Sequence, residues 1–120
     1  KKSKMINRAA LILKYKEPAV HWINEADPVP EGISICLADV NRERTVYLVS
    51  DEDADTDANV RQWVQENFSA LWESELEGWY NDEALWPKDR TLKKFDQWFE
   101  VECHTVIIDT VDGPLVDDET

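Results

Sequence analysis

Apolar positions along this chain fall into blocks, and the spacing within each block predicts an element. The first, Ile6 to Tyr15, has an almost unbroken apolar centre, Ala9-Ala10-Leu11-Ile12-Leu13, flanked by Arg8 and Lys14. Such a run predicts a strand covered on both faces. Pro18 then stands where the first turn of a helix accepts it. Ala19, Val20, Trp22, Ile23 and Ala26 supply that helix's buried stripe, and Asp27-Pro28-Val29-Pro30 ends it. Residues 31–44 carry two readings. Ile33, Ile35 and Leu37 alternate as a strand does, while Leu37-Ala38-Asp39-Val40-Asn41 spaces its apolar residues as one helical turn. The β-branched run Thr45-Val46-Tyr47-Leu48-Val49-Ser50 predicts a second strand.

The longest periodic block follows an acidic loop. Val60, Trp63, Val64, Phe68, Leu71, Trp72 and Leu76 recur at helical spacing, with Asp57 as the expected N-cap and Gly78 as the expected stop. Thr91 caps a further helix whose stripe is Leu92, Phe95, Trp98 and Phe99; Val101 to Asp109 is the last strand. Gly113-Pro114 releases an acidic tail, and residues 1–4 and 114–120 are expected to be flexible ends of a single domain. The fold class is therefore α/β or α+β: a small three- to four-stranded mixed sheet packed with about three helices. Helices between the strands imply partly parallel pairing. The strands are apolar on both faces and the helices are few, so a second copy of the chain is expected to cover what they leave open.

Charge narrows the partners. The net charge is −13, but the first 16 residues carry six Lys or Arg and no acid, leaving −19 on the remainder. A body this acidic repels nucleic-acid phosphate and anionic lipid and attracts basic proteins or divalent metal. No run approaches the length of a membrane span. Cys36 and Cys103 lie far apart and outside any CxxC pair, which fits reduced thiols in a cytoplasm.

Three stretches resemble those of a family of small acidic bacterial proteins of unassigned function. They are Asn7-Arg8-Ala9-Ala10-Leu11-Ile12, Arg44-Thr45-Val46-Tyr47-Leu48-Val49, and the long run from Glu75 through Trp79, Trp86 and Trp98 to Asp109. The resemblance implies a bacterial cytoplasmic source. It brings no activity, so no catalytic residue is carried over.

Candidate chemistry is sparse. Asp51, Asp53 and Asp55 alternate like the first half of a calcium loop, but Thr56 stands where the loop needs Gly, and Gln62 where a bidentate Glu closes it. Glu17, His21 and Glu25 share a helix face, too far apart end to end to hold one ion. His104 is the acid–base candidate of a small hydrolase or isomerase, with Asp82, Asp89 or Asp109 as its carboxylate; Cys103, on the opposite strand face, cannot join it. Only three glycines are present, and no phosphate-binding or zinc-binding spacing occurs, so no cofactor is expected.

Five of the six tryptophans fall between Trp63 and Trp98. Around Trp79, Tyr80 and Trp86 lie Glu75, Glu77, Asp82, Glu83 and Asp89. Aromatics rimmed by carboxylates bind Lys- or Arg-rich partners, through cation–π contact and paired charge. The other reading is a loop fastened to the body by its tryptophans. The functional expectation is a non-enzymatic interaction domain for a cationic protein, or an immunity-type inhibitor whose carboxylates imitate nucleic-acid phosphate.

Overall fold

The apolar run near the N terminus forms the middle of the sheet. In the computed structural model, which describes residues 4–26, 36–42 and 44–118, β2 (Arg8–Tyr15) lies between β3 (Val46–Ser50) and β4 (Phe99–His104). Both neighbours run antiparallel to it. The partly parallel pairing expected from the sequence is thus corrected: every strand pair among the described residues is antiparallel. β3 and β4 do point the same way, so the helices between them join parallel strands. Those strands are separated by β2 and never bond to each other.

Register sorts the side chains into two faces. Ala9, Leu11, Leu13 and Tyr15 align with Val49 and Tyr47 on one side and with Cys103, Val101 and Phe99 on the other. All of them belong to the core or pack against it. The opposite face carries Arg8, Ala10, Ile12 and Lys14, beside Val46 and Leu48 and beside Glu100, Glu102 and His104. Among the described residues no helix residue joins these in the core cluster; Ala10 is buried, and Val46 and Leu48 remain 52% and 50% exposed.

A short ribbon prolongs two of the strands. β1 (Lys4–Met5) pairs with β5 (Ile108–Asp109), and the Ile6 N–H donates to the Ile107 carbonyl at 2.9 Å. Between the Met5–Ile108 and Ala10–His104 pairs the first strand has four residues and the last has three. The extra residue is a bulge, placed at the bend at Asn7.

Helices close the inner face. α1 (Glu17–Ala26) buries Ala19, Val20 and Ile23. α2 (Leu37–Val40) takes the helical alternative of the ambiguous stretch; Ile33 and Ile35, like the Asp27–Pro30 stop, lie outside the described residues. The Asn41 side chain at the end of α2 clamps the backbone of Tyr15, accepting from its N–H at 2.9 Å and donating to its carbonyl at 3.2 Å. The amide thereby stands in for a strand where β3 no longer reaches.

α3 (Asp57–Trp79) crosses the sheet. Its N-cap is Thr56, whose hydroxyl accepts the Asn59 N–H at 3.0 Å; Asp57 is instead the first-turn acid, favoured by the helix dipole. Gly78 does not end the helix, which runs one residue further and stops at extended Tyr80. α4 (Leu92–Trp98) is capped by Thr91, as expected, and passes straight into β4, so Phe99 belongs to the strand and not to the helix stripe. Arg61 forks onto Asp96 with contacts of 2.9 and 2.6 Å, tying α3 to α4. The core they enclose is aromatic: Trp72, fully buried, has Phe95, Trp98 and Phe99 edge-on at 5.2–6.2 Å.

Candidate functional site

Segment 75–90 starts on the last turn of α3 and continues through a 3-10 turn, Glu83–Leu85. Its aromatic residues turn inward, and each polar tip finds a partner within the chain. Trp86 is buried and its N–H donates to the Tyr80 carbonyl at 2.8 Å. The Tyr80 hydroxyl donates to the Ile23 carbonyl at 2.6 Å, and Trp22 on α1 returns a bond to the Leu85 carbonyl at 2.9 Å. The Trp22 ring stands edge-on to Tyr80, and the Arg90 guanidinium lies 5.9 Å over the Trp86 ring while bonding Glu73 at 3.0 Å. Buried aromatics with satisfied N–H and O–H groups hold a loop in one conformation.

The carboxylates of the same segment divide. Glu77, Asp82, Glu83 and Asp89 are exposed, and no salt bridge among the described residues uses them. Asp82 caps the 3-10 turn by accepting the Ala84 N–H at 3.0 Å. Glu75 is different. It points under the sheet, where one oxygen accepts the Tyr15 hydroxyl at 2.7 Å and the other accepts the Tyr47 hydroxyl. Trp79 donates its N–H to the Tyr15 oxygen at 2.9 Å, and Ser74 Oγ lies 3.0 Å from the Tyr47 oxygen.

Tyr15, Ser74, Glu75 and Trp79 line a small cavity of about 180 Å³ with Val40, Thr45, Gly78 and the Arg44 position. Burial, reinforced by the Glu75 charge and its hydrogen bond, pushes the Tyr15 hydroxyl far above its ordinary range. Burial, then the Glu75 hydrogen bond and its charge, also raise Tyr47. Both tyrosines are therefore held as neutral donors to a carboxylate. Sequence reasoning named Glu75, Trp79 and Tyr80 but missed Tyr15, Tyr47 and Ser74. The available signal was Glu75 itself, an acid set among Leu71, Trp72 and Trp79 at inward helical spacing.

Other candidates scatter. His104 lies on the open sheet face opposite Ala10, and its Nε2 contacts Glu102 at 2.7 Å; the acids at 82, 89 and 109 are not its partner. That contact, with Arg44 beyond it, holds the Glu102 carboxyl below its usual range. Cys103 faces the core side, where burial raises its thiol, so the two neighbours do lie on opposite faces. Both cysteines are free thiols.

Asp51 and Asp55 flank a 3-10 turn and line an open depression of about 430 Å³ with Met5, Ile6, Asn7 and Thr105. Asp53 turns away to take the Ser50 hydroxyl at 2.9 Å. No group of three or more metal-ligating side chains gathers here or elsewhere among the described residues. His21 and Glu25 approach to 3.9 Å on an exposed face. Among the described residues no helix is long and apolar enough to cross a membrane.

Comparison with known proteins adds no relative to this geometry: no family model matches the chain, and neither a curated protein nor a solved structure matches it.

Proposed function

We propose that this chain is a non-enzymatic protein-interaction domain that binds a basic protein partner in a reducing, cytoplasmic compartment. One observation carries the reading. The acids Glu77, Asp82, Glu83 and Asp89 stand in solvent without a counter-cation among the described residues, on a segment whose rings are anchored inward. Side chains on an ordered backbone lose less entropy on pairing than those on a mobile loop. Concentrated negative charge also speeds the approach of a cationic surface. The rings contribute as the foundation and the carboxylates as the contact.

The test is binding of a Lys/Arg-rich peptide by titration calorimetry, at salt concentrations from roughly 0.05 to 0.5 M. Affinity should fall steadily with salt. The triple variant Glu77→Gln, Glu83→Gln, Asp89→Asn, which spares the Asp82 cap, should lose most of it without loss of thermal stability. An unaltered affinity in that variant would overturn the assignment of this surface.

A second surface supports self-association. The open face of the sheet presents Ile12, Val46 and Leu48 between basic Arg8 and Lys14 and acidic Glu100 and Glu102. A face bearing both signs around an apolar strip is complementary to its own two-fold image. We infer that a second copy covers it.

A further inference from the structure

We propose that the cavity beneath the end of α3 is a receptor for an alkylammonium group, the side chain of a lysine on the cationic partner. The inference rests on the reading of this protein as a binder of basic proteins, and it names the residue type that reads out. Three features converge. The walls are aromatic: the Tyr15 and Trp79 rings both line the cavity, with centroids 6.4 Å apart and planes inclined at 57°. The polar end is anionic, because Glu75 also lines it. Two tyrosine hydroxyls already orient that carboxylate, but each of its oxygens can accept more than one hydrogen bond.

The third feature is where the neighbouring cations go: Arg42, beside the same Trp79, pairs with Asp39 at 3.6 Å. Arg44 precedes β3 at a position of open-face parity, and its guanidinium contacts Glu102 at 3.6 Å on that far side of the sheet. Arg44 therefore borders the cavity without placing its charge inside. A carboxylate flanked by aromatic rings and free of an internal counter-ion selects a cation. With about 180 Å³ of space, the cavity is too small for a nucleotide or a drug-sized ligand and has the volume for an aliphatic stem. An ammonium has three donors on a slender chain and can reach Glu75 and the Ser74 hydroxyl together. The bulkier guanidinium, with its donors in a fixed fork, fits about 180 Å³ beside a carboxylate already bonded to two tyrosines less well.

The experiment follows the Trp79 indole N–H by NMR, its signal identified through Trp79→Phe, during titration with n-butylammonium, n-butanol, and lysine or arginine decapeptides. Butylammonium should move the signal saturably while butanol leaves it in place. The lysine peptide should bind roughly fivefold tighter than the arginine peptide. Glu75→Gln should abolish both the butylammonium response and the lysine preference; the wild-type titrations stand alone if that variant does not fold. Equal binding of the two peptides with no movement at Trp79 would overturn the receptor and leave the acidic surface intact. A butylammonium response with no peptide binding would support the receptor and sink the partner reading instead. Silence from every probe would refute both.

Discussion

Glu75 sits four residues from Leu71 and from Trp79, on the side of α3 that faces the sheet, where a hydrophobe packs by default. A half-buried carboxylate is tolerable there because two tyrosine hydroxyls reach it from β2 and β3. The arrangement joins helix to sheet by hydrogen bonds in a region otherwise held by apolar packing. It also sets a pH limit. Both tyrosines have hydroxyls raised above their ordinary value in the folded chain, so folding favours their protonated forms. The stabilisation is whole below about pH 10, the unfolded value, and fades as pH climbs beyond it through the folded values. A spectrophotometric titration should show Tyr15 and Tyr47 resisting ionisation until the chain unfolds. Tyr15→Phe and Tyr47→Phe should each remove one of the resistant groups. Ionisation of Tyr15 and Tyr47 at the ordinary value in the native chain would show that the Glu75 network does not form.

At the scale of elements, most of the fold was legible. Helical spacing located α1, α3 and α4, and runs of apolar and β-branched residues located β2, β3 and β4, because polar or turn residues bound each block. Pairing was not legible. Alternation of strands and helices is the same string whether neighbouring strands run parallel or a third strand separates them; only the tertiary arrangement tells these apart. The site was half legible for a related reason. The density of tryptophan was plain, but its direction depends on which backbone carbonyls, such as those of Ile23, Tyr80 and Leu85, lie within reach. Gly78 shows the same limit in miniature. It has the composition of a helix stop yet lies inside α3, and a Cβ built there meets no atom within 4 Å. Gly78→Ala should therefore stabilise the protein by about 0.4–1 kcal/mol, through lost freedom in the unfolded chain and better helix propensity. Chemical denaturation with an unchanged m-value checks it; a destabilised variant would mean that the folded helix does not hold this residue as described.

Across the whole molecule, the two proposed associations respond to salt with opposite sign, and that separates them. The inner face of the sheet is closed by aromatic packing, while the outer face leaves Val46 and Leu48 half exposed beside a strand whose polar residues are Arg8 and Lys14. Two copies meeting there bring together chains of net charge −13 each, so long-range repulsion opposes the encounter. Salt at 0.1 M screens that repulsion beyond roughly 10 Å, whereas the apolar strip is insensitive to it and the close pairing of Arg8 and Lys14 with Glu100 and Glu102 across the seam is screened much less. Sedimentation equilibrium should therefore show a dimer that tightens as salt rises from about 0.02 to 0.2 M, over the range in which a basic peptide loosens. Leu48→Lys adds a third positive charge to those of Arg8 and Lys14 and removes apolar area from the strip, so it should yield a monomer with the same basic-peptide affinity. A wild-type chain that stays monomeric at tens of micromolar in either salt would mean that this face meets water, with Val46 and Leu48 exposed at its centre.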